Sequence, residues 1–180
     1  MIKKQRNVFW RYKALYAILL AIIFVLIIYI FYPSPFVEKL ATVSLPELST
    51  AGFTEVALAV DLDTGIIKLG GDCYQLSATV EQSQAVSIQN GIDHVVGARP
   101  NIHDLFNDMI KVLNIKILMI KITELKDNAY HSSLITRQGN TVLKLDARPS
   151  DAIAIATRTD YLIPIYINTT LLKTVGEKIC

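Results

Sequence analysis

An uninterrupted apolar run near the N-terminus constrains this 180-residue chain more than any other feature. It covers residues 14–32 (ALYAILLAIIFVLIIYIFY), which are 19 residues without a charge, Gly or Pro. A helix crosses a bilayer with roughly 20 apolar residues, and Pro33 and Pro35 follow directly and cannot continue a helix. Cleavable signal peptides have a shorter apolar region and a small-residue cleavage site. The run therefore predicts an uncleaved transmembrane helix, with the lipid bilayer as a partner.

The charges that flank this run predict its orientation. The 15 residues after it hold one basic residue, Lys39, whereas five basic residues and no acid precede it: Lys3, Lys4, Arg6, Arg11 and Lys13. Basic residues concentrate on the cytoplasmic side of a membrane. We therefore expect a single-pass protein of the cell membrane, with residues 1–13 as a cytoplasmic tail and the C-terminal domain outside the cytoplasm.

The basic tail also accounts for the net charge of +2 of the whole chain. Residues 33–180 hold 13 basic and 16 acidic residues, a net charge of −3. Proteins that follow a nucleic-acid backbone usually carry a basic patch on the binding domain itself. The charge of this domain therefore gives no support to a nucleic-acid partner.

Two cysteines, Cys73 and Cys180, are too few to build a disulfide scaffold of this length.

Beyond the anchor, runs rich in β-branched residues alternate with turn signals and a few helical patterns. Residues 33–52 are expected to be a linker, residues 53–172 one domain and residues 173–180 a C-terminal tail. Helical spacing is found at 83–90 and 101–114, and residues 147–158 are expected to be a loop that opens into a helix. This pattern predicts an α+β fold, with a mixed β-sheet and few helices.

The clearest helix of the domain is predicted at residues 101–114 (NIHDLFNDMIKVLN), with Asn101 as its N-cap. Apolar residues at i, i+3, i+4 and i+7 predict that it buries one face. That face comprises Ile102, Leu105, Phe106, Met109, Ile110 and Leu113. Gly91 is expected to be the C-cap of the helix at 83–90.

Two stretches of the domain resemble each other at an offset of 67 residues. Residues 76–88 (LSATVEQSQAVSI) align with residues 143–155 (LKLDARPSDAIAI). Each combines a predicted strand, a short loop and the start of a helix. We therefore expect two duplicated strand-rich units, each carrying a helix, that share one core.

The densest polar segment is DARPSD at residues 146–151. In a purely structural interpretation, Ser150 caps the following helix, Asp151 complements the helix dipole and Arg148 pairs with a carboxylate. In a functional interpretation, Asp146 and Asp151 bind a divalent cation. Arg148 and free backbone N–H groups would then bind a phosphate.

A second polar segment is RPNIHD at residues 99–104. Its structural interpretation is an N-cap at Asn101 with Asp104 in the first helical turn. In a functional interpretation, His103 acts as a general base or a metal ligand, because imidazole is the side chain that titrates near neutral pH.

The segments RPNIHDL (99–105) and DARPSDAIAIATR (146–158) closely resemble the bifunctional nuclease domain family. Its members share R-P-x-x-H-D-L and D-x-R-P-S-D-A-I-A-L-A-x-R at about this separation. The segment PIYI (164–167) is similar to the family's P-I-Y-V strand, and the resemblance covers roughly residues 53–172. It implies a nuclease that hydrolyses phosphodiesters of DNA, RNA or both.

The resemblance also implies roles for particular residues. The implied catalytic residues are His103, Asp104, Asp146 and Asp151. The implied substrate-binding residues are Arg99, Arg148 and Ser150. Asp146 and Asp151 are the implied ligands of a Mg²⁺ or Mn²⁺ ion, which would polarise the phosphate and generate hydroxide.

The first copy of the repeat departs from the family pattern. Gln84 stands where the family usually has Glu, and it cannot serve as an acid, a base or a strong metal ligand. Ser77 and Glu81 replace a Pro and a Gly of the same pattern. Three interpretations therefore stay open: a membrane-anchored nuclease, a non-catalytic anchored domain that binds a ligand or protein, and motifs that serve as salt bridges and helix caps. A homo-oligomer is a further expectation.

Overall fold

A computed structural model describes residues 19–25 and 46–180 of the chain. The predicted cytoplasmic tail, most of the predicted transmembrane span and most of the predicted linker lie outside these ranges. Residues 19–25, which belong to that span, are helical and exposed. Among the helices of the two described ranges, none combines the length and the hydropathy of a membrane span.

An eight-stranded mixed sheet organises residues 46–180. Its strands are β1 (Phe53–Asp61), β2 (Ile66–Gly71), β3 (Tyr74–Thr79), β4 (Ile115–Lys126), β5 (Ala129–Gln138), β6 (Thr141–Ala147), β7 (Ile165–Asn168) and β8 (Glu177–Lys178). They lie in the order β6-β5-β4-β7-β1-β2-β3-β8. Neighbouring strands pair antiparallel, except that β4 and β7 are parallel. The predicted α+β class is confirmed.

Helices accompany this sheet within residues 46–180: α1 (Gln82–Ile92), α2 (Ile102–Val112), α3 (Pro149–Ala156) and α4 (Thr169–Val175), with a short 3-10 turn at Pro46–Leu48. Ala and Ile fill nearly every side of α3, and a helix without a polar face is buried. It packs against α1, α2, β4 and β5, and Ile153 lies in the hydrophobic core. Helix α3 is therefore the central helix of the domain.

Two units of similar topology lie side by side in the sheet. Strands β1–β3 form an antiparallel meander followed by α1, and strands β4–β6 form another followed by α3. The two segments that align in the sequence, 76–88 and 143–155, each run from the third strand of a meander into its helix. Strand β7 joins the meanders, because it pairs with both β1 and β4.

Gly91 lies inside α1 and does not end it. The helix continues to Ile92, and Asp93 is its C-cap, so the prediction of a C-cap at Gly91 is wrong. Glycine is needed there for a packing reason. A Cβ at this position would overlap Thr157 Oγ1 and lie 3.0 Å from Arg158 Nη1. The absence of a side chain therefore lets α1 approach the end of α3 closely.

Helix α2 confirms one expectation and contradicts another. Asn101 is its N-cap, as predicted. The apolar face expected to be buried is largely exposed: of its six residues, Ile110 is buried, Phe106 is half-buried, and Ile102, Leu105, Met109 and Leu113 are exposed. The helix packs instead through a neighbouring face that carries polar residues, including Asp104 and Asn107. The spacing predicted the helix correctly but not the side that it buries.

The C-terminal residues, expected to be a tail, are part of the fold. Helix α4 extends to Val175, and β8 pairs antiparallel with β3 at the edge of the sheet. Cys180 forms a disulfide with Cys73, 107 residues earlier and directly before β3. The two cysteines thus attach the end of the chain to the edge of the sheet.

Candidate functional site

The two polar segments singled out in the sequence meet in the structure. His103 lies in the first turn of α2 and Asp151 in the first turn of α3. Because α2 packs against α3, His103 Nε2 lies 3.6 Å from Asp151 Oδ1. Both side chains are partly accessible to solvent. The pair can therefore contact a ligand.

The first turn of α2 is fixed by its own side chains. Asn101 Oδ1 accepts hydrogen bonds from the backbone N–H groups of His103 and Asp104, at 2.8 and 3.0 Å. Asp104 Oδ2 accepts one from the Asn101 N–H, at 2.8 Å. This reciprocal arrangement is a capping box, which satisfies backbone donors that a helix leaves free at its start. It holds His103 in a defined position.

The other carboxylate oxygen of Asp104 accepts a hydrogen bond from Arg158 Nε, and both residues are buried. Burial by itself raises the pKa of the Asp104 carboxyl. The hydrogen bonds from Arg158 and the Asn101 N–H outweigh that effect and hold the pKa below its usual value. Arg158 Nη1 also donates to the carbonyls of Ser87 and Ala154. The geometry therefore makes Asp104 a positioning residue that ties α2 to α1 and α3.

Ser87 of α1 lies between these groups and sets the tautomer of His103. Its Oγ accepts hydrogen bonds from Arg158 Nη2 at 3.1 Å and from Asn101 Nδ2 at 3.2 Å. Both groups can only donate, so the hydroxyl proton is directed to His103 Nδ1, 2.9 Å away. In the neutral imidazole, the proton therefore resides on Nε2 and faces Asp151.

The order Ser87–His103–Asp151 resembles a nucleophilic triad, but Ser87 cannot act as its nucleophile. The residue is 7% exposed, and both acceptor positions of its hydroxyl oxygen are occupied. A nucleophilic serine must reach the substrate and must give its proton to the adjacent base. Ser87 is therefore a positioning residue for His103.

Asp151 is the central acceptor of the cluster. Arg148 Nε and Nη2 donate to its two oxygens at 2.7 and 3.1 Å, and Gln84 Nε2 donates to Oδ1 at 3.3 Å. The hydrogen bond to Asp151 and the charge of this carboxylate raise the pKa of Arg148. The side chains of Arg148 and Asp151 are 70% and 29% exposed. This ion pair therefore lies at the surface, where a ligand can reach it.

The start of α3 differs from the sequence prediction. Pro149 is the first helical residue and Arg148 is the N-cap. The ring of Pro149 fixes φ near the helical value, and proline has no backbone N–H group that would need an acceptor at this position. Ser150 therefore lies one position inside the helix and is buried. It is not the N-cap, and little of it is presented to a substrate.

Asp146 lies on the opposite side of the sheet from this cluster. It is the cross-strand partner of Ser133, whose partner on β4 is Lys121. Directly opposed residues of neighbouring strands share a face. Residues 46–51 cover that face, since Lys121 Nζ donates to two carbonyls of that segment. Asp146 therefore faces away from α3 and Asp151.

The predicted metal pair is consequently not assembled. Asp146 and Asp151 lie on different sides of the sheet, and the oxygens of Asp151 accept hydrogen bonds from Arg148 and Gln84. Within residues 19–25 and 46–180, no group of three or more His, Cys, Asp or Glu side chains could hold a metal ion. These residues do not fit the Mg²⁺ or Mn²⁺ site implied by the sequence.

Arg99, predicted to bind substrate, lies exposed in the segment before α2.

Two residues of the cluster were not identified from the sequence. Arg158 is the last residue of the thirteen-residue motif at 146–158, and its place in that motif was the signal that could have identified it. Ser87 lies on the buried side of α1 with Ala85 and Ile88. A small polar residue among buried apolar ones indicates a hydrogen-bond partner elsewhere, but nothing in the local sequence identifies that partner.

Comparisons with known proteins bear out the resemblance seen in the sequence. A family model described as the bifunctional nuclease domain matches residues 68–179. An uncharacterized protein of Mycobacterium tuberculosis is 34% identical over 106 residues, which are 59% of this chain and 61% of that protein. Bifunctional nuclease 1 of Oryza sativa subsp. japonica is 28% identical over 112 residues, 61% of this chain and 33% of that protein.

A further plant protein, bifunctional nuclease 2 of Arabidopsis thaliana, is 25% identical over 132 residues, 72% of this chain and 37% of that protein. The chain therefore spans about a third of the plant relatives and less than two thirds of the mycobacterial one.

Proposed function

Because the chain belongs to the bifunctional nuclease domain family, we propose that it hydrolyses phosphodiester bonds of DNA, RNA or both at the cluster around His103 and Asp151. The observation that carries this proposal is the 3.6 Å approach of His103 Nε2 to Asp151 Oδ1. It joins the family's two sequence motifs in one accessible cluster. Homologues with nuclease names suggest a nuclease-like function as well.

In this proposal, His103 acts as a hydrogen-bond donor. Ser87 donates to Nδ1, so the neutral ring carries its proton on Nε2 and donates from there. The Arg148 guanidinium adds a second group of donors at the surface, and Arg99 lies exposed in the segment that leads into α2. Donors of this kind stabilise the negative charge of phosphoryl oxygens.

Asp151 is the base of the proposed reaction. Its carboxylate takes a proton from a water molecule, and the water oxygen forms a bond to phosphorus. The bond from phosphorus to the leaving oxygen breaks, and that oxygen is protonated from solvent. Asp104 and Ser87 act through His103, which they hold in position. No step is assigned to Asp146 or to a metal ion, because the ligands predicted for the ion lie apart.

We also propose that the domain is anchored in the cell membrane and faces a compartment outside the cytoplasm. The apolar run at 14–32 and the basic residues before it support the anchor and its orientation. The Cys73–Cys180 disulfide supports the location independently, because disulfides persist mainly in oxidising compartments.

The test uses the full chain, purified in detergent and incubated with single-stranded DNA or RNA, with and without Mg²⁺ or Mn²⁺. We expect cleavage by the natural sequence and a loss of about 10²–10⁴-fold with His103→Asn or Asp151→Asn. The matched controls are His94→Asn and Asp127→Asn, at exposed positions outside the cluster. Asn suits both controls, because His94 and Asp127 have positive φ angles. Equal cleavage by the site variants and the controls would refute the proposed site.

A specific observation favours the alternative function, a non-catalytic domain that binds a ligand or a protein. Gln84 replaces the usual Glu of the family and donates a hydrogen bond to Asp151. The site therefore lacks the second carboxylate that would favour a metal ion. This alternative predicts that the folded chain binds a ligand at Arg148 without cleaving nucleic acid, whether or not a divalent metal is present.

A further inference from the structure

We propose that the face of the sheet opposite α3 carries an anion site, in which Lys121 and Lys144 bind a phosphate group. A pocket of about 430 Å³ opens on this face, between the sheet and residues 46–51. Small-molecule sites usually have volumes of about 300–1,000 Å³, so the pocket has room for a phosphate and part of a molecule attached to it. The site lies on the other side of the sheet from the candidate hydrolytic site and does not depend on the proposed hydrolysis.

The buried ammonium group of Lys121 is the main observation. Lys121 is 6% exposed, whereas lysine is almost never buried to this extent unless it is paired. Its Nζ donates hydrogen bonds to the carbonyls of Glu47, at 2.6 Å, and of Ser49, and lies 5.1 Å from the centre of the Phe53 ring. None of these contacts brings a negative charge to the ammonium. The ion pairs within residues 46–180 are all formed by other side chains, so Lys121 is a buried cation without a carboxylate partner there.

A second cation lies close to the first. Lys144 of β6 is exposed and also lines the pocket. Burial lowers the pKa of Lys121, and the charge of Lys144 lowers it further, whereas the Glu47 carboxylate offsets only part of these effects. An anion between the two ammonium groups would relieve their repulsion and compensate the charge of Lys121. The pocket therefore favours a negatively charged ligand.

The acids of this face do not take the place of such a ligand. The Glu47 carboxylate lies near Lys121 but forms no ion pair with it in the described part of the chain. Asp146 lies on the same face of β6 as Lys144 but does not line the pocket. Glu55 accepts a hydrogen bond from the Tyr166 hydroxyl at 3.3 Å, and neither residue lines the pocket. The position between the two lysines is therefore open to an external anion.

The donors around the pocket favour a phosphate group over a carboxylate. Besides the two lysines, Ser133, which is buried, and Thr123, which is half-buried, line the pocket and carry hydroxyl groups. A phosphomonoester carries about two negative charges and three strong acceptor oxygens, so it can satisfy two cations and a hydroxyl at once. Lysine binds phosphate as a point charge. Apolar side chains complete the lining and suit the organic part of a phosphomonoester: Pro46, Phe53 and Ile135.

The phosphate group can come from two sources. One is a soluble phosphate or phosphomonoester. The other is the head group of an anionic lipid such as phosphatidic acid, because residues 46–51 follow the predicted anchor and linker in the chain. Both present the same chemistry to Lys121 and Lys144, and the experiment includes an arm for each.

The test titrates inorganic phosphate into the full chain in detergent micelles and measures the dissociation constant by calorimetry. A hydrogen bond to a charged group is worth enough that Lys121→Met should raise this constant about tenfold. Lys144→Met should raise it about threefold, because this lysine is exposed and its charge is screened by solvent. The matched control is Lys116→Met, at an exposed position of β4, and it should bind like the natural sequence. Acetate should bind more weakly than phosphate to the natural sequence.

A second arm separates the two sources. Dihexanoyl phosphatidic acid, with dihexanoyl phosphatidylcholine as its control, is titrated in the same way. Binding that depends on Lys121 and Lys144 supports the site with either probe, and the tighter of phosphatidic acid and inorganic phosphate identifies the source.

Three results would overturn the proposal: dissociation constants for phosphate that are equal in the natural sequence, Lys121→Met and Lys144→Met; acetate binding as tight as phosphate binding; or a loss confined to Arg148→Met, which would place the phosphate at the candidate hydrolytic site. Lys144 is exposed, so Lys144→Met decides the question even if Lys121→Met does not fold.

Discussion

Gln84 Nε2 donates a hydrogen bond of 3.3 Å to Asp151 Oδ1, and the two residues occupy aligned positions of the two repeated segments, 67 residues apart. Each lies near the start of its helix, and α1 packs against α3. The candidate site therefore lies where the two units meet. It is asymmetric, because one unit contributes an amide and the other a carboxylate.

This asymmetry predicts the behaviour of Gln84→Glu. The substitution places a second carboxylate beside Asp151, and two negative charges at this distance repel each other. A divalent cation relieves that repulsion, so the variant should gain metal affinity. We expect Mn²⁺ to raise its unfolding free energy, by about 2.7 kcal/mol once the ion reaches a hundred times its dissociation constant. Calorimetric melting with and without Mn²⁺ measures the effect.

The controls for this experiment are the natural sequence and Gln84→Ala. Neither has a second carboxylate, so we expect Mn²⁺ to leave both melting temperatures unchanged. An equal shift in all three proteins would mean that the ion binds away from the pair of Gln84 and Asp151, which would contradict the prediction.

Ser87→Ala tests the tautomer of His103. The substitution removes the donor to Nδ1 and an acceptor for Arg158 and Asn101. Leaving buried donors without a partner should lower the unfolding free energy by about 1–3 kcal/mol. In ¹⁵N NMR spectra of the neutral ring, we expect the natural protein to show the Nε2–H form and the variant a mixture of both tautomers. Ser77→Ala, at an exposed position of β3, is the control and should change neither quantity. An unaltered tautomer in Ser87→Ala would refute the assigned role.

Breaking the buried ion pair should destabilise the domain strongly. Arg158→Met leaves Asp104 buried without its charged partner, and such changes cost about 3–5 kcal/mol of unfolding free energy. The double variant Arg158→Met, Asp104→Asn should recover part of this loss, because it leaves no unpaired charge. Urea unfolding measures all three proteins. Arg137→Met, at an exposed position of β5, serves as the matched control and should unfold like the natural protein.

The same ion pair predicts how stability depends on pH. The pKa of Asp104 is lower in the folded protein than its ordinary value of 3.8, so folding favours the carboxylate. Its stabilising contribution is fully present at neutral pH and is lost as the pH falls below that value toward the folded pKa. Asp104→Asn lacks this group and should show a smaller acid-induced loss of unfolding free energy. Equal losses in both proteins would contradict the assignment.

Reduction of the disulfide should loosen the C-terminal edge. Cys73–Cys180 closes a loop of 107 residues, and cross-links over loops of this length contribute about 2–5 kcal/mol to stability. Strand β8 pairs with β3 over only two residues, so it should detach first. We expect dithiothreitol to lower the melting temperature and to expose the C-terminus to proteolysis. The double variant Cys73→Ser, Cys180→Ser should melt at the lower temperature whether or not the reductant is added.

Local sequence patterns predicted much of the fold. The helices α1–α3 lie close to their predicted positions, because periodicity and turn residues act over a few neighbouring positions. Asn101 caps α2 as predicted, since its partners are two and three residues away. The start of α3 was shifted by the preference of Pro149 for the first helical position.

The sequence by itself determined the α+β fold class, the repeated segments and the two motifs whose residues supply His103 and Asp151. The tertiary structure decided which of the predicted polar residues come together. Asp104 is buried against Arg158, 54 residues away, and Asp146 faces the other side of the sheet because its register with Ser133 sets its direction. The tertiary structure also left one apolar face of α2 exposed. These outcomes depend on contacts between residues far apart in the chain, which spacing within one segment does not encode.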